Sequence, residues 1–101
     1  MIYLGADYSR REAAEILEGM ERFFSEEFLY GPAGAVHAAG VAVRGASREE
    51  IREMMGRMIV AHRCMRKSTT FNFVSSFGNA KGCYAVIARV LFGVLRHEAH
   101  R

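Results

Sequence analysis

Six side chains of this chain belong to the types that bind metals or work as nucleophile and base: His37, His62, Cys64, Cys83, His97 and His100. Cys83, His97 and His100 stand in the spacing C-x13-H-x2-H. A structural zinc site takes ligands paired at close spacing at both ends, and no CxxC accompanies this set, so no metal or other cofactor is expected. Cys64 or Cys83 with His37 or His62 has the composition of a thiolate–imidazole pair. Cys83, however, falls in the most apolar stretch of the chain, where a cysteine packs as a small hydrophobe. Asp7 is the single aspartate, and most glutamates fall on one polar helix face, which leaves no paired-carboxylate centre for acid–base work. The expectation is a protein that is not an enzyme.

The basic residues are more informative. On a helical projection Arg48, Arg52, Arg63 and Arg66 lie within about 60° of one another, along one border of an apolar arc and over about 27 Å of helix. Lys67 and His62 stand near the C-terminal end of that stripe, where cations also complement the helix dipole. Glu49 and Glu53 follow the other edge and balance Arg48 and Arg52, so Arg63, Arg66 and Lys67 are the less compensated group. Lys81, in the turn-like segment Gly78-Asn79-Ala80-Lys81-Gly82, would stand before a helix start, a place that suits phosphate, although the segment lacks the full spacing of a phosphate-binding loop. Together Arg48, Arg52, Arg63, Arg66, Lys67 and Lys81 form a candidate surface for an anionic partner, either an acidic protein or nucleic acid. Nucleic acid would also call for exposed stacking aromatics, and Phe71 and Phe73 in the segment FNF are expected in the core.

Charge is divided along the chain. Residues 1–31 hold seven acids against three arginines, a net −4, while residues 32–101 hold eleven bases against four acids, a net +7. Such a split favours intramolecular packing, head-to-tail self-association or an acidic partner. A chain of 101 residues with 50% hydrophobic and 25% charged residues has the composition of one globular domain, which sets disorder and low complexity aside. Two cysteines are too few for a disulfide scaffold, and the opening residues lack the pattern of a secretory leader, so a cytoplasmic protein is expected. The longest nearly apolar run, residues 83–95, is shorter than a membrane span and is broken by Arg89.

The elements that must position these groups follow from periodicity. Ser9 with Glu12, and Ser47 with Glu50, have capping-box spacing and open helices over about residues 10–29 and 48–66. Ala13, Ile16, Leu17, Met20, Phe23, Phe24 and Phe28 form the apolar arc of the first helix, which Gly31-Pro32 should end. Ile51, Met54, Met55, Met58, Ile59, Ala61 and Met65 form that of the second. Residues 83–97 predict a third helix that is apolar almost all round, broken only by Arg89 and Arg96, and therefore either central or shared between subunits. Residues 1–5, 35–44 and 69–76 read as strands, the second because Gly34, Gly40, Val41 and Val43 count against a helix and the third from its alternation.

The expected fold is α+β, three helices on a small sheet of about three strands, with an all-α oligomer as the alternative. The function that fits is a non-enzymatic binding protein that self-associates through Val86, Val90, Leu91, Val94 and Leu95 and works by protein contact. By analogy with small domains that lack catalytic groups, it would be an adaptor or a stoichiometric inhibitor, of the kind that phages direct against host defence. Nucleic-acid binding through the arginine stripe is the alternative.

Overall fold

A computed structural model describes residues 7–26, 30–67 and 75–99, which form four helices: α1 (Arg10–Glu26), α2 (Tyr30–Gly45), α3 (Arg48–Lys67) and α4 (Ser75–Ala99). Both capping boxes form as the spacing requires. At the start of α1 the Ser9 amide donates to Glu12 Oε1 at 3.1 Å and the Glu12 amide donates to Ser9 Oγ at 3.1 Å. Ser47 and Glu50 repeat the exchange at 3.3 and 3.2 Å before α3. Each box satisfies amides that a helix start otherwise leaves without partners.

The sheet is overturned. The expected strand 35–44 lies wholly inside α2, and the described residues contain no strand, so the α+β expectation gives way to an all-α fold. The physical reason is visible in burial. Ala33, Val36, Ala39, Gly40 and Val43 face inward at intervals of three and four, while His37, Ala38, Val41 and Arg44 face outward. Val43, one of the two valines that suggested a strand, therefore shares an inward helical face with Val36, seven residues before it, while the other, Val41, faces out. Pro32, expected to end the first helix, is instead the third residue of α2, where its missing amide costs no helical hydrogen bond. The strands placed at residues 1–5 and 69–74 lie outside the described residues, and Ser75 and Ser76 belong to α4.

α4 also begins earlier than residue 83. Phe77–Gly82, read as a turn, is helical backbone, so Lys81 is the seventh residue of a 25-residue helix and does not precede a helix start. The phosphate reading of that lysine loses its basis.

Two antiparallel hairpins build the molecule. α1 packs along α2, α3 packs along α4, and the pairs join mainly where α2 meets α4. α4 touches all three other helices, while α1 and α3 do not touch and occupy opposite corners. The near-continuous apolarity of α4 is thus explained by a central position within one chain. Its Ile87, Val90, Leu91 and Val94 are fully enclosed with Leu17, Val36, Val43 and Ile51 from the other helices. Burying each of the larger aliphatic side chains contributes roughly 1.5–3 kcal/mol.

One end of the bundle is held by two arginines. There the starts of α1 and α3 meet the ends of α2 and α4. Arg10 donates from Nε and Nη2 to both carboxylate oxygens of Glu98, at 2.7 and 3.2 Å, and from Nη1 to the carbonyl oxygens of Ala46 at 2.7 Å and Val43 at 3.4 Å. Arg48 donates from Nη2 to the carbonyl of Leu95 at 3.3 Å. Each guanidinium satisfies carbonyls at a helix C-terminus, where positive charge also opposes the negative end of the dipole. Across the same end, the Tyr8 amide donates to the Gly93 carbonyl at 3.1 Å, which ties the entry of α1 to α4. Among the described residues no helix is long and apolar enough to cross a membrane.

Candidate functional site

The arginine stripe of α3 divides into two environments. Arg48 is half-buried and turned onto the last turns of α4, so it is part of the scaffold. Arg52 and Arg63 are exposed and have no hydrogen bond or ion pair among the described residues. Arg66 and Lys67 are in the last turn of α3, and Lys81 is on α4; the side chains of all three lie outside the described residues. Of the three candidates with described side chains, Arg52 and Arg63 face outward and Arg48 does not. The structure separates Arg48 from Arg63 by function as well as by distance along the helix.

The five residues expected to mediate self-association are placed differently again. Val90, Leu91, Val94 and Leu95 are buried against helices of the same chain, and Val86 is half-buried at their edge. The four buried side chains belong to the internal core, and of the five only Val86 keeps partial exposure. The outward stripe of α4 is another set, Ala85, Arg89, Phe92 and Arg96, recurring at intervals of three and four.

That outward stripe lies beside the outward edge of α3, and the two enclose a groove of about 470 Å³. Met55, Ile59 and Phe92 with Ala85 and Ala88 line its apolar part, and His62, Arg63 and Arg89 supply its polar groups. Phe92 remains 39% exposed even though the Arg96 guanidinium stands 6.0 Å from its ring centroid, a cation–π contact that holds the ring at the groove's end. Arg89, like Arg63, is exposed and has no partner among the described residues. The groove therefore joins an apolar floor, whose methionine can adapt its shape, to a rim on which Arg63 and Arg89 have no counter-charge among the described residues.

A second groove of about 480 Å³ runs between α2 and α3, lined by Val41, Ala42, Met54, Glu50, Glu53 and Arg57 among others. Its charged groups each have a contact within α3 or its cap. Glu50 belongs to the Ser47 capping box, and Arg57 stands 3.8 Å from Glu53. It offers shape without an electrostatic preference, and the α3–α4 groove is the better candidate.

The cysteine and histidine candidates remain apart. Cys83 is 2% exposed, and burial pushes its thiol up to about 12, so it stays protonated and unreactive at neutral pH. Cys64 is exposed on the outer side of α3. His37 Nδ1 lies 3.0 Å from Glu21 Oε1 on the outer surface of the α1–α2 pair. Among the described residues no three histidine, cysteine, aspartate or glutamate side chains gather into a metal-binding group. Sequence reasoning missed Phe92, Ile59 and Met55 as site residues because each matched a core pattern. The available signal was the spacing of Arg89, Phe92 and Arg96, which sets one aromatic between two arginines on a single face.

The chain matches no protein-family model, no curated protein and no solved structure.

Proposed function

We propose that this protein is a non-enzymatic binding protein, an adaptor or stoichiometric inhibitor, that works by taking a helix of its partner into the α3–α4 groove. The observation that carries this reading is the pairing of an exposed apolar floor, Ile59 and Phe92, with two arginines, Arg63 and Arg89, that have no partner among the described residues. A hydrophobic groove between two helices accepts the apolar face of a third helix, anchored at positions three and four apart. The cationic rim selects helices that carry carboxylates beside that face and disfavours basic ones. A cytoplasmic location is part of the proposal, in keeping with two cysteines that are both free.

Nucleic acid is the weaker alternative. Its strongest support was a continuous arginine stripe, and Arg48 is engaged inside the fold. Affinity capture from lysate of the source cell decides between the two, run with and without nuclease on the wild type and on a variant carrying both Arg63→Glu and Arg89→Glu. A protein retained by the wild type after nuclease treatment and lost at least tenfold by the variant is the expected result. Capture that disappears with nuclease, together with salt-sensitive binding to random oligonucleotides, would support the alternative.

A further inference from the structure

The groove calls for a helix with an apolar anchor flanked by carboxylates, and the chain itself carries one. α1 has Phe23 standing 46% exposed on its outer side, although its sequence arc assigned that residue to the core. The ring that fills the core there is Phe24, which meets Phe23 edge-on at 5.4 Å. Along the same outward stripe lie Glu12, Glu15, Gly19 and Glu26 at intervals of three and four, so an aromatic knob sits among carboxylates with a smooth position one turn before it. Glu26 has no ion-pair partner among the described residues, and Glu15 is held only by an exposed contact to Arg11 at 3.7 Å, which water and salt weaken.

Resting on the groove reading above, we propose that the occupant of the α3–α4 groove is α1 of a second copy of this chain, giving head-to-tail association that any outside partner must displace. Two observations select this arrangement. α1 and α3 occupy opposite corners of the bundle and do not touch, so the acidic face of α1 cannot reach the groove of its own molecule and must meet it in another. The arrangement in which two grooves face each other would gather two arginine rims in one interface, with no carboxylate among the residues that line either groove. Docking α1 into the groove instead sets the outward carboxylates Glu15 and Glu26 toward Arg63 and Arg89. The contact is heterologous: the surface that donates the knob differs from the surface that receives it.

A heterologous contact can be separated into halves, and that gives the test. Sedimentation velocity of the wild type up to about 0.5 mM, a range that detects association even of millimolar strength, should show mass rising with concentration. The rise should shrink between about 0.1 M and 1 M salt, as the screening length falls from about 10 to 3 Å. Phe23→Glu removes the knob and leaves the groove; Arg63→Glu with Arg89→Glu removes the rim and leaves the knob. Each variant alone, shown to be folded by circular dichroism, should lose at least tenfold in association. Mixing the two should restore a species of two chains, because one intact knob and one intact groove remain. A wild type that stays at the mass of one chain throughout overturns the proposal, as does a mixture that stays monomeric. In either event a protein captured by the wild type and lost by the rim variant shows that the groove still binds a different helix, whereas capture indifferent to the rim variant removes the groove reading itself.

Discussion

At the scale of single residues, two side chains with the same chemistry have different roles because of what surrounds them. Arg10 is the more demanding case. Its guanidinium makes four hydrogen bonds that join three helix ends, and its planar fork meets both oxygens of Glu98. Arg10→Ala removes the donors that satisfy the last carbonyls of α2, and should lower stability by about 2 kcal/mol in urea denaturation; Arg10→Lys should recover only part of it. The opposite expectation holds for Arg52, exposed and without a partner, whose replacement by alanine should leave stability within about 0.5 kcal/mol. The two cysteines form a similar contrast. In the native protein at pH 8 a thiol reagent should modify one cysteine per chain, Cys64, and in denaturant both. Because burial raises the Cys83 value above that of an unfolded thiol, its contribution to stability is complete below the ordinary thiol range and falls as pH rises above about 9. Glu12 has the reverse sign. Hydrogen bonds from the Ser9 amide and hydroxyl hold its carboxyl below the ordinary value, so its cap is complete at neutral pH and is lost as the solution is acidified through that lowered value.

At the scale of elements, α1 and α3 were legible from the local chemistry of their beginnings and the body of α4 from its apolarity, while α2 and the start of α4 were not. Ser9 and Ser47 announce α1 and α3 through contacts that span three residues, and the observed starts at Arg10 and Arg48 agree. α2 carries no such signal. Its glycines and valines disfavour a helix in isolation, and what stabilises it is the packing of small residues, Ala33, Val36, Ala39 and Val43, into the centre of the bundle. Val41 tests this directly, because it is exposed and its effect comes from backbone preference. Val41→Ala should stabilise the protein by about 0.5 kcal/mol if the segment is helical, whereas a strand would lose stability from the same change. The start of α4 was misread for a related reason. Gly78, Asn79 and Gly82 are turn residues by local preference, and they lie within a helix whose later residues are packed on three sides.

At the scale of the whole molecule, the division of charge takes on a spatial meaning. Glu15 and Glu26 of the acidic segment stand on the outer face of α1, while Glu18 and Glu21 turn to Arg44 and His37 of α2; Arg63 and Arg89 of the basic remainder supply the rim of the α3–α4 groove. The predicted association follows from that geometry and from nothing within either element alone. It should therefore weaken with salt, because the attraction is between charges that face solvent. From sequence by itself came the two capped helix starts, the amphipathic arcs of α1 and α3, the unusual apolarity of 83–97 and the opposed charges of the two chain segments. These rest on contacts within one turn or on composition, which neighbours in sequence decide. The tertiary structure alone decided that residues 35–44 coil, that Arg48 serves the scaffold while Arg63 faces outward, that Val90, Leu91 and Val94 turn inward, and that Phe23 and Phe92 are left at the surface. Each of those outcomes depends on the register of one helix against another, and that register is set by packing among residues far apart in the chain.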